Sequence, residues 1–253
     1  MSKLRAVWRW STAGLFSYLS WFLVNLILAL LFPLLWSIRK LGGKALVRHF
    51  AVRFLRLYFI YVLPVFGLYQ VNRRSALVGL NAITEGLVVA NHTSWLDALI
   101  IIALVPGVRP LVSTRYGKVP LVSHVMQWLG CIFVDRRDRG SVTRAIAKIR
   151  ESVRKGPVAV FPEGTRSAVG HLKRFQDVFF SVAVDEKCKV EPVLLLFDIP
   201  FLGPGVENLV TPRAARLTIS KLDTIIPERG EKGQDLAFRT RRAMRKAIGK
   251  LAV

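Results

Sequence analysis

Acidic residues are missing from the first third of this chain. The whole chain has 38 Lys and Arg residues against 16 Asp and Glu, which gives a formal net charge of +22. Eleven of those basic residues precede the first carboxylate, Glu85. A positively charged surface suits binding to nucleic acid or to anionic lipid. Because the basic residues flank long apolar runs, and no helix-turn-helix or zinc spacing occurs, anionic membrane lipid is the expected partner and nucleic acid is not.

Charge of either sign is missing between positions 10 and 38. About 20 apolar residues span a bilayer as a helix. The stretch is too long for a secretory signal, and no small-residue cleavage site ends it. A second uncharged stretch, at 57–72, carries aromatic residues that suit a membrane interface. Together the stretches predict either a two-helix hairpin that enters and leaves on one side, or a single-pass anchor followed by an interfacial helix.

Cysteine is scarce, since Cys131 and Cys188 are the only two. Neither stands near histidines at a metal-ligand spacing, so we expect no metal site. Both lie in apolar or mixed strand-like runs, which indicates buried core thiols rather than nucleophiles. A Gly-x-Ser-x-Gly nucleophile turn is also missing from the sequence.

After about residue 75, short apolar runs alternate with amphipathic segments. We expect strands at 87–90, 111–114, 131–135, 158–161, 192–197 and 216–222. We expect helices at 94–105, 120–129, 141–155 and 173–184. Strands separated by helices of this length indicate parallel βαβ units. The sequence therefore predicts an α/β fold with a mixed, largely parallel sheet flanked by helices, behind an N-terminal helical membrane anchor.

The first candidate site is the sequence Asn-His-Thr-Ser-Trp-Leu-Asp at 91–97, directly after a predicted strand. On one continuous helix, five positions rotate a side chain by about 140°, which would separate His92 from Asp97. With His92 on the entry loop and Asp97 inside the helix, the carboxylate can orient the imidazole. Asp97 also completes a capping box with Ser94, and that interpretation needs no chemistry.

The second candidate site is Phe-Pro-Glu-Gly-Thr-Arg-Ser at 161–167, at the strand edge where open α/β sheets bind ligands. Backbone N–H groups, the Thr165 hydroxyl and the Arg166 guanidinium can converge there on an anion. Arg136, at the end of another strand, adds a cation to the same edge. Each residue alone also fits a solvated turn with a local ion pair, but the set together favours an anion site.

These stretches, with Val-Glu-Pro-Val-Leu at 190–194, resemble in order and spacing the four motifs of the PlsC-like glycerolipid acyltransferases, the relatives of 1-acylglycerol-3-phosphate acyltransferase. The resemblance covers roughly residues 75–220. It implies that His92 is the general base and that Asp97 holds its tautomer, while Pro192 shapes the site near the acyl donor. It also implies that the polar head of the acceptor is bound by Arg136, Glu163, Gly164, Thr165 and Arg166.

The resemblance implies a membrane-bound O-acyltransferase with no resident cofactor. The acyl donor would be acyl carrier protein or coenzyme A carrying a thioester, and the leading acceptor is the lysophospholipid 1-acylglycerol-3-phosphate. Membrane-associating helices are expected at 1–74, the catalytic domain at 75–227 and a basic amphipathic helix at 228–253. Residence at a bacterial inner membrane, with the catalytic domain on the cytoplasmic side, follows from the family.

One departure from the family concerns the residues after the second site. The family commonly has a basic residue where this chain reads Gln176, followed by Asp177, although Lys173 and Arg174 stand close by. Another acceptor, such as a lyso-ornithine lipid, therefore stays open. A non-catalytic membrane protein that binds anionic lipid would explain the charge but not the motifs. For the C-terminal helix, packing on the domain and lying on lipid both stay open.

Overall fold

The computed structural model describes residues 19, 22–23, 26–27, 29–62, 69–71, 79–118, 122–203 and 215–251. The uncharged stretches at 10–38 and 57–72 both lie partly outside these ranges. Residues 29–40 are helical. Within the described ranges, no helix combines the length and the apolar character that crossing a bilayer requires.

A seven-stranded sheet organises the fold, in the order β1-β7-β6-β2-β5-β3-β4. The strands are β1 (Tyr69–Val71), β2 (Leu87–Ala90), β3 (Arg109–Ser113), β4 (Ile132–Val134), β5 (Val158–Val160), β6 (Val190–Phe197) and β7 (Ala215–Lys221). The five strands from β2 to β6 run parallel, while β7 is antiparallel to β6 and β1 runs parallel to β7. The predicted mixed, largely parallel sheet is confirmed.

Helices cover both faces of the sheet. They are α1 (Lys44–Leu57), α2 (Asp97–Leu104), α3 (Val122–Trp128), α4 (Arg139–Val153), α5 (Val178–Asp185) and α6 (Gly233–Leu251). The first three pack on one face and the last three on the other. Successive residues of β2 alternate between the two cores, with Val88 in one and Val89 in the other. That double burial explains why β2 reads as an uninterrupted apolar run.

Two helices begin later than the sequence predicts. We expected α2 to begin at 94, but it begins at Asp97 because the residues before it form a turn around the Asp97 carboxylate. We expected α5 to begin at 173, but residues 171–176 are not helical and α5 begins at Val178. Both displaced starts leave a non-helical segment at the carboxyl edge of the sheet, where the candidate site lies.

The aromatic segment after α1 belongs to the protein core. Tyr58–Val62 forms a π-helical turn. Tyr58, Phe59 and Ile60 are 5%, 1% and 2% exposed and join the core on the α2 face of the sheet. The membrane interface that we expected for Tyr58 and Phe59 is therefore wrong. An apolar run has the same composition whether lipid or protein covers it, so the sequence alone could not separate the two.

Arginines hold α1 against α2. Arg56 Nε donates to the carbonyl oxygen of Ala103 at 2.9 Å, in the last turn of α2. Arg48 donates to the carbonyl oxygens of Gly107 and Val108 at 2.9 and 3.1 Å. The carbonyls of a last helical turn have no partner within the helix, and cations are favourable beside them. Arg56 therefore joins α1 to the helix that carries Asp97, and Arg48 joins α1 to the segment between α2 and β3.

The C-terminal helix α6 packs on the domain through one apolar side. Leu236, Met244 and Ile248 of α6 lie in the core with residues of α4 and α5. Arg242 and Arg245 are exposed on another side. The apolar side of α6 therefore packs on the domain, which is one of the two placements that the sequence left open.

Candidate functional site

The predicted site residues meet at the carboxyl edge of the sheet. The segment 91–97 follows β2, the segment 161–167 follows β5, and Arg136 follows β4. Asn91 ends β2 by pairing with β6: its side chain donates to the carbonyl oxygen of Leu195 at 2.9 Å and accepts from the Leu195 N–H at 2.7 Å. A side-chain amide thus replaces the next ladder pair, and the main chain is free to turn.

His92 and Asp97 are in hydrogen-bond contact. His92 Nδ1 lies 2.9 Å from Asp97 Oδ2. The same oxygen accepts from the N–H groups of Thr93 and Ser94 at 2.7 and 2.8 Å. The Asp97 side chain is fully buried, while that of His92 is 21% exposed. Asp97 therefore performs both roles that the sequence offered, because one carboxylate oxygen closes the turn and also orients the imidazole.

The Asp97 contact fixes the histidine tautomer. Burial raises the pKa of Asp97, and the hydrogen bonds from His92 and from the two backbone N–H groups oppose that shift. A carboxylate that receives three donors on one oxygen is favoured in its charged form. With Nδ1–H donating to Asp97, the neutral imidazole keeps an unprotonated Nε2. His92 can therefore accept a proton at Nε2 while its other nitrogen stays bound.

Both backbone groups of His92 are tied to the segment after β5. The His92 N–H donates to Glu163 Oε1 at 2.9 Å, and the His92 carbonyl oxygen accepts from the Ser167 N–H at 2.8 Å. The Phe161 ring lies 4.6 Å from the imidazole, measured between centroids. The two segments that the sequence separates by 71 positions thus form one frame around the imidazole.

Glu163 is a buried acid whose two oxygens face the backbone. Oε1 accepts from His92, and Oε2 accepts from the Lys173 N–H at 2.9 Å. Glu163 is 7% exposed. We expected Glu163 to bind the acceptor head, but the structure gives it contacts that hold His92 and the segment 171–176 together. No sequence motif predicts these positioning contacts, because they join residues 71 and 10 positions apart.

Gly164 lets two polar side chains approach the turn closely. Its φ is +78°, and a Cβ built there would lie 2.7 Å from Gln176 Nε2 and 3.3 Å from Arg136 NH1. A residue with a Cβ would be strained at this φ and would push the Gln176 amide aside. Burial lowers the pKa of Arg136. The amide of Gln176 and the guanidinium of Arg136 therefore both lie close to the backbone of the turn at Gly164.

Arg166 has contacts that no motif predicted. Its NH1 donates to the carbonyl oxygens of Leu202 and Gly203 at 3.3 and 2.6 Å. Its guanidinium carbon lies 5.0 Å from the centroid of the Trp95 ring, a cation–π distance. The backbone N–H of Trp95 also donates to the carbonyl oxygen of Leu202, at 3.0 Å. Arg166 thus joins the two candidate segments to residues 202–203.

The two cysteines lie away from this chemistry. Burial raises the pKa of Cys131 to about 12 and that of Cys188 to about 11. Since the thiolate is the reactive form, iodoacetamide at pH 8 should alkylate neither thiol in the folded protein and should leave turnover unchanged. Mass spectrometry of the native and denatured protein checks this. Rapid modification of the native protein with loss of activity would assign a thiol to the site.

A protein-family model described as Acyltransferase matches residues 75–196 of this chain. The chain is 26% identical over 160 residues to a chloroplastic 1-acyl-sn-glycerol-3-phosphate acyltransferase, LPAT1, from Arabidopsis thaliana, a match that covers 63% of this chain and 45% of the relative. It is 28% identical over 116 residues to a 1-acyl-sn-glycerol-3-phosphate acyltransferase from Helicobacter pylori strain J99, covering 45% of this chain and 49% of the relative. The chain thus spans under half the length of both curated relatives.

A solved structure also matches. The crystal structure of the 1-acyl-sn-glycerophosphate (LPA) acyltransferase PlsC from Thermotoga maritima superposes with a TM-score of 0.73, covering 100% of this chain and 98% of the other. The two sequences are 19% identical. At that identity the likeness shows that the two proteins share a fold.

Proposed function

We propose that this chain, which matches a family model described as Acyltransferase over residues 75–196, transfers a fatty acyl group from an acyl thioester to the free hydroxyl of 1-acylglycerol-3-phosphate. The product is phosphatidic acid. The observation that carries the proposal is the His92–Asp97 pair, 2.9 Å apart, beside a turn that gathers Arg136, Gln176 and Lys173. A general base next to a cationic turn suits a hydroxyl carried by an anionic lipid.

In the first step His92 takes the proton. Nε2 accepts the proton of the acceptor hydroxyl as the hydroxyl oxygen attacks the thioester carbonyl carbon. The positive charge that forms on the imidazole lies against the buried Asp97 carboxylate. A base positioned in this way contributes about 10²–10⁴-fold to the rate. The carbonyl oxygen becomes an oxyanion, for which the backbone N–H groups and guanidinium of the turn after β5 are the available donors.

In the second step the tetrahedral intermediate collapses. The carbon–sulfur bond breaks, the ester forms, and the leaving sulfur takes the proton from His92 Nε2, which restores the neutral imidazole. Because a thioester is already activated, the hydroxyl attacks it directly and no acyl-enzyme is needed. The raised pKa of both buried thiols agrees with a route that uses no cysteine nucleophile.

The lipid acceptor implies a site close to a membrane. Apolar side chains of the N-terminal helical region stand exposed, among them Leu30, Leu34, Leu41 and Leu46 at 70%, 58%, 89% and 62%. Basic residues 39, 40, 44 and 53 accompany them. Apolar side chains beside basic ones favour attachment to anionic lipid. We place the protein on the cytoplasmic side of a bacterial inner membrane, where acyl carrier protein and coenzyme A thioesters are available.

The test is turnover by the purified protein in detergent. With an acyl thioester and 1-acylglycerol-3-phosphate, free thiol should appear at the rate at which phosphatidic acid forms. Lyso-ornithine lipid and monoacylglycerol, supplied with each of the two thioester types, are the comparison acceptors. Faster turnover of lyso-ornithine lipid would move the assignment to that acceptor. Lipid binding without turnover of any acceptor would instead support the non-catalytic membrane protein.

A further inference from the structure

Lys173 lies in the non-helical segment 171–176, and its ammonium contacts the turn after β5. It belongs to none of the motifs that mark the site. We propose that its ammonium binds the anionic head group of the acceptor, a phosphate monoester. The inference rests on the proposed function, because it names a residue that selects the substrate of that same site.

The Lys173 ammonium has one donor to spare. Nζ donates to Thr165 Oγ1 at 2.8 Å and to the carbonyl oxygen of Arg166 at 2.6 Å. An ammonium carries three N–H donors. Two of them hold Nζ against the turn, and the third, together with the full positive charge, is left for a ligand. The Lys173 side chain is exposed, so a lipid head group can reach it.

The Lys173 backbone is fixed from both sides. Its N–H donates to Glu163 Oε2 at 2.9 Å, and its carbonyl oxygen accepts from Arg241 Nε of α6 at 2.7 Å. The other oxygen of Glu163 holds the His92 N–H. One carboxylate therefore sets the position of the proposed anion-binding residue relative to the imidazole. Such a frame would present a bound lysophospholipid to His92 in a constant geometry.

Among the described residues, no carboxylate forms an ion pair with the cations around this turn. In the part of the chain that the structure describes, ion pairs form between other residues, and none includes Lys173, Arg136 or Arg166. Glu163, the acid in the turn, has both oxygens on backbone N–H groups. Asp177 precedes α5 and makes no side-chain cap there. Cationic side chains that form no ion pair within the described residues suit a phosphate, which accepts several charge-assisted hydrogen bonds at once.

The experiment compares Lys173 with the neighbouring Arg174, which carries the same charge. Lys173→Met removes the ammonium and keeps a side chain of similar length. Arg174→Met removes the same charge from the next position, which is also exposed. Binding of 1-acylglycerol-3-phosphate and of neutral monoacylglycerol is measured by calorimetry in detergent, without an acyl donor. We expect Lys173→Met to weaken binding of the phosphate lipid by about 10- to 100-fold. Binding of the neutral lipid should not change, and Arg174→Met should change binding of either lipid by about 2-fold or less.

Steady-state kinetics, which gives KM and kcat, provides a second test. Loss of a contact that is made equally in the ground state and the transition state raises KM and leaves kcat unchanged. Lys173→Met should therefore raise KM for the phosphate lipid alone, and Lys173→Arg should restore the wild-type KM. Unchanged binding in Lys173→Met, equal weakening in Arg174→Met, or a fall in kcat with the neutral lipid would overturn the proposal. Because binding is measured without a donor, failure of wild-type turnover would count against the proposed function and not against Lys173.

Discussion

The His92→Ala variant should lose about 10²–10⁴-fold in kcat, since that is the usual contribution of a positioned general base. In the structure Asp97 Oδ2 holds the His92 imidazole, while Glu163 and the Ser167 N–H hold the His92 backbone. The two backbone contacts do not involve the side chain, so they remain in the variant. We therefore expect the binding of 1-acylglycerol-3-phosphate to persist while proton transfer is lost.

The matched control for this prediction is His49→Ala. His49 is an exposed histidine of α1, so the same substitution there should leave kcat unchanged. Thiol release under saturating thioester and acceptor gives kcat for both variants, and calorimetry gives the affinity for the acceptor. If His92→Ala kept turnover within about tenfold of the wild type, a general-base role worth ~10²–10⁴-fold would be excluded.

Most strands of this fold could be predicted from the sequence. Strands buried on both faces form short apolar runs between polar segments, and β2 is found at the residues expected for it. β1 was missed, because it has three residues and lies within a stretch that we had assigned to a membrane helix. The aromatic run beginning at Tyr58 was misassigned because burial in protein and burial in lipid select the same residue types.

The site could be predicted only in part. The spacing of His92 and Asp97 after a strand indicated their contact, since the strand and the helix that begins at Asp97 fix the turn between them. The contacts that build the rest of the site join residues that lie far apart in the chain. Leu202 lies 36 positions from Arg166, and Arg241 lies 68 positions from Lys173. A local pattern carries no information about such contacts, so the roles of Lys173 and Arg241 needed the three-dimensional structure.

The second large effect is expected at Asp97, where asparagine and alanine should differ. In Asp97→Asn, the amide oxygen can take the place of Oδ2 and still accept from Thr93 N–H, Ser94 N–H and His92 Nδ1. The tautomer is then kept, and the variant loses the charge that stabilises the imidazolium. A hydrogen bond to a charged group contributes about 1.5–3 kcal/mol. We therefore expect kcat to fall by about 10- to 100-fold, because 1.4 kcal/mol corresponds to a factor of ten.

Asp97→Ala removes the acceptor as well as the charge. The His92 ring is then free to change tautomer or turn away, so kcat should fall by 10³-fold or more, on the order of the loss seen when a catalytic triad loses one member. The N–H groups of Thr93 and Ser94 also lose their buried acceptor, at about 1–3 kcal/mol each, so Tm should fall further than in Asp97→Asn. Thermal unfolding and kcat at saturating substrate check both variants. Equal loss of kcat in the two would mean that the carboxylate charge, and not the orientation of the ring, accounts for the whole contribution of Asp97.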